Sequence, residues 1–368
     1  MRGSWRPRKA SWTNSGEDET VELWLDAVLI AIFAFLIDRY IGDVPNRYHP
    51  LRWMGNLLDR IDRRIADRRS RWNVVIGFLS YVLVLLVFGG VALTITMALR
   101  YGLVGVGEFD VLGVHCSFGE IVWIVVSALF VKVTFALFAF RKFCSPIEDD
   151  LKKGDLEAAA DKTQMMVNRK MKGMDLPHIT SSCCETVSEN LVDSVISPLF
   201  YFGLFGLPGA IAFRCSNLMD AMWGHINEKY YVLGHFPARL DDVLGYIPSR
   251  ISPLFVGVAA KLMRMRSGRS AVKAAMAEHR KTPSPNSGWP MTAVAAAMGV
   301  SFEKEGVYVM GEGPLPSIDD IRRCYHLVEL TSLVFLLIVT IPLGMFLGIH
   351  VQVFIEDFIH GLLGVFRI

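Results

Sequence analysis

The chain has 368 residues, of which 52% are hydrophobic and only 20% charged, and its mean hydropathy is +0.37. That balance excludes a disordered chain, which needs low hydrophobicity and high net charge, and an ordinary soluble enzyme, which would be left with large exposed apolar patches. The formal net charge of +2 gives no global basic field for nucleic acid.

Residues 1–21 read as a disordered polar tail. No apolar stretch precedes a small-residue cleavage site there, so the tail is not a signal peptide. Residues 22–368 read as a single membrane-embedded domain. Leu23–Ile37 is a short apolar run that carries Asp26. Val74–Leu99 contains no Asp, Glu, Lys, Arg or His over 26 residues, more than the roughly 20 a spanning helix needs. Ile121–Phe140 is interrupted only by Lys132. Leu191–Phe213 is apolar but broken by Asp193, Pro198, Pro208 and the glycines 203, 206 and 209. It is expected to dip and return rather than cross. Lys281–Pro290 and Glu312–Ser317 have loop composition, and Asp319–Leu330 has the acidic start and apolar spacing of a helix. Leu327–Ile355 is a last long run, with Glu329 and His350 near its ends. The expected fold is all-α and polytopic, with about 4–5 membrane helices.

Loop charge gives an orientation. The stretch 38–73 carries nine Arg, 100–120 carries one basic and three acidic residues, and 141–190 carries eight Lys or Arg. By the positive-inside rule, 38–73, 141–190 and the basic stretch 214–326 are cytoplasmic loops. Val74–Leu99 then runs outward and Ile121–Phe140 inward. The first run would start outside, against the basic residues Arg2, Arg6, Arg8 and Lys9 that precede it. The six cysteines form no CxxC and read as free thiols acting as small apolar side chains. There is no phosphate-binding GxxxxGK[ST], no GxGxxG after a strand, no HExxH and no GxSxG.

Four polar clusters flank the apolar runs. In Asp38–Gly55, Gly42, Pro45 and Pro50 prevent a continuous helix, so Asp38, Asp43 and His49 sit on a turn beside the first helix. In Cys184–Pro198, Glu185, Glu189 and Asp193 are spaced i, i+4, i+8. Like charges along one helix face repel, and carboxylates running into an apolar segment cost more still. A cation would offset this, and Mg²⁺, which takes oxygen ligands and bridges to phosphate, is the natural candidate. In Arg214–Tyr230, Arg214, Asn217 and Asp220 again share one face. In Phe236–Arg250, Arg239, Asp241, Asp242 and Arg250 join adjacent carboxylates to arginines, which suit bidentate phosphate contacts. Pro237 would open a short helix there and Pro248 would end it. Each cluster has a plain structural reading, as a turn, a solvated acidic face or a surface ion network. Taken together they describe an anionic-substrate site with a hard cation.

At these clusters the sequence resembles the CobD/CbiB family of cobalamin biosynthesis. The segments GDVPNRYHPLRWMG, SENLVDSVISPLFYFGLFGLPGAIAFRCSNLMDAMWG, ARLDDVLGYIPSR, PNSGWPMTAVAAAMGV and IDDIRRCYHL occur in the family's order over roughly residues 25 to 330. The resemblance implies a multi-pass cell-membrane enzyme with its site on the cytoplasmic face. It would be an ATP-dependent amide synthase joining adenosylcobyric acid, a corrinoid, to an aminopropanol phosphate or the related aminoalcohol. ATP and Mg²⁺ are the implied helpers. On this reading Glu185, Glu189, Asp193, Asp241 and Asp242 are candidate Mg²⁺ ligands, and Lys229, Arg239 and Arg250 would hold phosphate. Asp43, His49, Asn217 and Asp220 are the catalytic candidates, with Asp43 and His49 positioning or deprotonating the amine.

The implied surroundings are the lipid bilayer, other cobalamin-pathway membrane enzymes and a homo-oligomeric partner, but no nucleic acid. Two rival readings share the membrane frame: a corrinoid-binding or transport protein without catalysis, and a scaffold for cobalamin enzymes. Polar residues concentrated in loops rather than at mid-membrane favour the enzyme. The sequence departs from the family pattern at Lys170, where an Arg-Asp-Thr segment is usual and this chain has Arg169-Lys170-Met171, and at Gly245, where Asn is usual.

Overall fold

The computed structural model describes residues 15–65, 70–103, 106–111, 114–225, 228–265 and 268–365. Residues 1–14 of the expected tail lie outside that set, and the first helix, Ser15–Tyr40, begins before the expected boundary at 21. The described chain is a bundle of helices with two small antiparallel hairpins, Glu108–Val111 with Val114–Ser117 and Ser301–Lys304 with Tyr308–Gly311.

Among the described residues, three helices are long and apolar enough to cross a membrane, or up to five if each of two bent pairs is one span. Asn73–Gly102 is the plainest. Only 22% of its most apolar window is buried against the rest of the chain, so most of its hydrophobic surface is left uncovered by the protein. Phe118–Thr134, opened by a Ser117/Glu120 capping box, meets Ala139–Lys152 at a 44° bend. The run Ile121–Phe140 therefore ends as straight helix at Thr134. Asp38 marks this break, its Oδ2 accepting from the backbone N–H groups of Leu137 (3.0 Å) and Phe138 (3.1 Å). Ile318–Gly364 carries the last apolar run, after a Ser317/Asp320 capping box.

The segment Leu176–Trp223 is 48 residues long and 72% buried in its most apolar window, yet it is not one rod. At Gly206 the backbone adopts φ +65°, ψ −156°, outside the helical region. Beyond this point the chain reverses. The rings of Tyr201 and Phe213 stack with centroids 5.5 Å apart, whereas a continuous helix would separate them by about 18 Å. A side chain at 206 would meet the Gln352 Cβ at 2.7 Å and the Gly348 carbonyl at 2.8 Å, so only glycine fits the turn. The Leu207 N–H freed by the reversal donates to Gln352 Oε1 at 3.0 Å, which satisfies a backbone group that would otherwise be orphaned in an apolar setting. The dip and return expected from the Pro/Gly pattern is therefore a helical hairpin inside the bundle.

Helix breaks elsewhere follow local chemistry. Gly42 (φ +77°) and Pro45 end the first helix, and Pro50 opens Pro50–Asp62, capped by His49 Nδ1 accepting from Leu51 N–H at 3.2 Å. His235–Leu244 meets Tyr246–Leu262 at a 42° bend. Pro248 does not end the former, as expected; it lies in the first turn of the latter, where a missing N–H costs nothing.

Candidate functional site

The hairpin brings the second and third polar clusters together. Its outgoing arm, Leu176–Leu191 and onward, carries Glu185, Glu189 and Asp193. Its returning arm carries Arg214, Asn217 and Asp220. Asp193 lies within a π-helical turn, Val192–Ile196, a local distortion frequent at functional sites. It is close enough to feel the charges of Asp241, Glu189, Asp220 and Arg214. The fourth cluster joins through the helix His235–Leu244: Asn217 hydrogen-bonds Asp241, and Asp220 faces Asp242. Arg214 is the centre of this set. Its Nη1 donates to Asn217 Oδ1 at 2.8 Å, and it faces Asp193, Asp241 and Asp43.

The first cluster reaches the same centre through Lys132. Lys132 is 4% exposed and lies 2.8 Å from Asp38 and 2.5 Å from Asp43. His49 sits beside Asp43, Lys132 and Arg214. Burial holds the imidazole below its ordinary 6.5 despite the attraction of Asp43, so the ring is neutral at pH 7. Because Nδ1 accepts from Leu51 N–H, the neutral proton is assigned to Nε2. His49 therefore presents a donor, and Asp43 is the better placed base.

The remaining candidates divide. Glu185 is paired with Arg169 at 2.7 Å and neighbours Tyr308. Burial, with Glu185 beside it, pushes the Tyr308 hydroxyl well above its ordinary value, keeping it a donor. Arg169 belongs to the segment that departs from the family pattern. It reaches the site while Lys170 beside it is exposed. Lys229 is drawn to Asp62 at 2.9 Å, and Arg239 is exposed, 3.8 Å from Asp242. Arg250 lines a separate cavity of about 500 Å³ with His279, Arg280, Ser284 and Trp289. There it lies over the Tyr246 ring, 3.3 Å from the centroid, and donates to Asn286 Oδ1 at 3.1 Å. Asn286 also donates to the Asp242 carbonyl at 2.9 Å, which ties this cavity to the carboxylate pair. A side chain at Gly245 would meet Asn286 Nδ2 at 2.7 Å, so Asn286 fills the space beside Gly245.

Three buried polar atoms of the central set have no hydrogen-bond partner: Asp241 Oδ1, Glu185 Oε2 and Arg214 Nε. Buried polar atoms without a partner are costly, and here they belong to two carboxylates and a guanidinium. Among the described residues, no three His, Cys, Asp or Glu side chains converge closely enough to hold a metal ion by themselves. Sequence reasoning placed no role on Arg214, Lys132, Asp38 or Arg169. Lys132 had a usable signal as the lone charge in Ile121–Phe140, and Arg214 had one in its i, i+3 spacing to Asn217. Arg169 had none, because its partner Glu185 is brought to it by packing.

These features define a helical membrane protein with a buried, charge-dense site where its hairpin meets its polar loops. A family model described as CobD/Cbib protein matches residues 31–328. Three curated relatives are each called a cobalamin biosynthesis protein CobD, the first two with the word probable. The protein of Methanothermobacter thermautotrophicus is 33% identical over 88% of this chain and 100% of its own. That of Methanocaldococcus jannaschii is 32% identical over 85% and 97%, and that of Dehalococcoides mccartyi is 34% identical over 82% and 92%. No solved structure matches. The chain belongs to the CobD/CbiB family of cobalamin biosynthesis proteins.

Proposed function

We propose that this protein is the adenosylcobinamide-phosphate synthase of its pathway, joining a propionate side chain of adenosylcobyric acid to the amine of an aminopropanol phosphate at the cytoplasmic face of the cell membrane. Residues 22–368 act as one membrane-embedded unit, with 38–73, 141–190 and 214–326 on the cytoplasmic side. The observation that carries the reading is the unbalanced set around Arg214, in which buried carboxylate and guanidinium atoms are left without partners inside a CobD/CbiB protein.

The chemistry asks for such a set. A carboxylate resists attack by an amine until one of its oxygens becomes a leaving group. Transfer of the terminal phosphoryl group of ATP to the propionate does this, and the amine nitrogen then displaces phosphate as the C–N bond forms. The amine proton passes to a base, for which Asp43 is placed, with the neutral His49 donating from Nε2 to orient the substrate. Arg214 would stabilise anionic oxygen at the reacting carbon.

A Mg²⁺ ion would spread charge on the transferring phosphoryl group. Mg²⁺ usually takes one or two protein carboxylates and completes its shell with phosphate and water. The free Asp241 Oδ1 fits that demand. Asp241, Asp242, Asp193 and Glu189 are the carboxylates for that role, with Glu185 tied to Arg169. Arg250, Arg239 and Arg280 are the cations beside them for nucleotide phosphates.

Deleting the gene in a host that depends on this pathway tests the reading. Growth is expected on supplied cobinamide and not on supplied cobyric acid. Equal growth on both would overturn it.

A further inference from the structure

A second cavity of about 500 Å³ opens between the end of the first helix and Ala139–Lys152. Its lining includes the cations Arg39, Arg141 and Lys142 and the carboxylates Asp38 and Asp43. The two carboxylates differ in their ion pairs and exposure. Lys132 is shared between Asp38 and Asp43, so the triad keeps one surplus negative charge, and Asp38 spends its Oδ2 on the backbone at Leu137 and Phe138. Asp43, 33% exposed against 2% for Asp38, is therefore the carboxylate open to a ligand. Arg39 packs its guanidinium over the rings of Tyr40 and Phe138, which fixes it without neutralising it. Arg141 and Lys142 are exposed in the same lining.

Resting on the synthase reading, we propose that this mixed-charge cavity binds the aminoalkyl phosphate substrate, its ammonium against Asp43 and its phosphate against Arg39, Arg141 and Lys142. The sequence-based expectation gave phosphate to Lys229, Arg239 and Arg250. Lys229 is instead bound to Asp62, and the Arg250 cavity has no acidic residue in its lining, so it offers nothing to an ammonium group. A cavity lined by both carboxylates and cations matches a molecule that carries both charges. It also places the nucleophilic nitrogen beside Asp43, whose neighbour Arg214 faces Asp193 and Asp241. The same chemistry occurs in the headgroup of phosphatidylethanolamine, and the cavity lies beside the apolar helices, so the source has to be separated by experiment.

The test uses the full chain in nanodiscs of phosphatidylcholine, titrated calorimetrically with aminopropanol phosphate, with aminopropanol and with ATP. The wild type is expected to bind aminopropanol phosphate. Arg141→Ala/Lys142→Ala should weaken that binding by about tenfold or more and leave free aminopropanol and ATP unchanged. Asp43→Asn should weaken both aminoalcohols and spare ATP. In turnover, the double variant should raise KM for the phosphorylated aminoalcohol with kcat nearly kept. Unchanged affinity in the double variant, or weakened ATP binding instead, overturns the assignment while leaving the synthase reading intact. Binding that vanishes only when phosphatidylethanolamine is added to the nanodiscs assigns the cavity to lipid and also overturns it. A wild type that binds no aminoalcohol and makes no amide would overturn the synthase reading itself.

Discussion

Two polar clusters lie against the helical hairpin, one at its tip and one at its open end, and they are built on opposite rules. At the tip, Gln352 and Glu356 are fully buried and fully paired. Gln352 accepts from Leu207 N–H (3.0 Å) and donates to Glu356 (3.1 Å), which also receives Thr96 (3.1 Å) and Arg100 (3.2 Å). At the open end, Glu185 is buried and Arg214 and Asp241 are half-buried, and each keeps one buried atom without a partner. A closed network rigidifies a fold. An open one carries a cost that persists where a ligand completes it. The contrast separates structure from chemistry in a chain where both use the same residue types.

The sharpest way to break this contrast is Asp241→Asn, which removes a charge with little change of shape. Amide formation in proteoliposomes should fall about 10²–10³-fold, while the thermal midpoint stays unchanged or rises, because withdrawing a carboxylate from water costs more than withdrawing an amide of the same shape. A falling midpoint with activity retained would make the open end structural. The complementary change, Gln352→Leu, strands the Leu207 N–H and one side of Glu356. It should cost about 1–3 kcal/mol of stability, read as a lower midpoint in detergent, with turnover per folded molecule preserved. A Gln352→Leu protein that is stable but inactive would dissolve the distinction.

The smallest effect concerns His49 at the edge of the open end. Its folded pKa lies below 6.5, so between that value and 6.5 the unfolded chain holds the proton and the folded chain does not. Stability therefore falls as pH drops below 6.5, with a slope of at most about 1.4 kcal/mol per pH unit, and levels off once the folded ring protonates. Thermal midpoints measured from about pH 7.5 to about pH 5.5 should show this slope, and His49→Gln should remove it.

The first two of these variants mark what the sequence could tell. The hairpin was legible because Pro and Gly inside an apolar run have few uses in a membrane, and the carboxylates were legible because charge beside such a run is expensive. Gln352 was not, since an amide in an apolar helix acquires meaning only when a backbone break is packed against it. Arg169 and Lys132 show the same limit. Each owes its position to a partner on another element, Glu185 for one and Asp38 with Asp43 for the other. Local periodicity has no access to such pairs. The break of Ile121–Phe140 at Thr134 was hidden for a related reason, because Asp38 from another helix caps it.

The reversal at Gly206 also bears on how the protein is made. The two arms of the hairpin are consecutive in the chain, so Asp193 and Arg214 meet through a short loop rather than through long-range assembly. Contacts of low sequence separation form first, and helical hairpins can leave the ribosome and enter the bilayer as a unit. The core of the site would thus be set before Ile318–Gly364 arrives with Gln352. The last helix acts as a latch on a hairpin already folded, and a chain truncated before it would expose the unsatisfied turn at Gly206 to whatever machinery inspects unfinished membrane proteins.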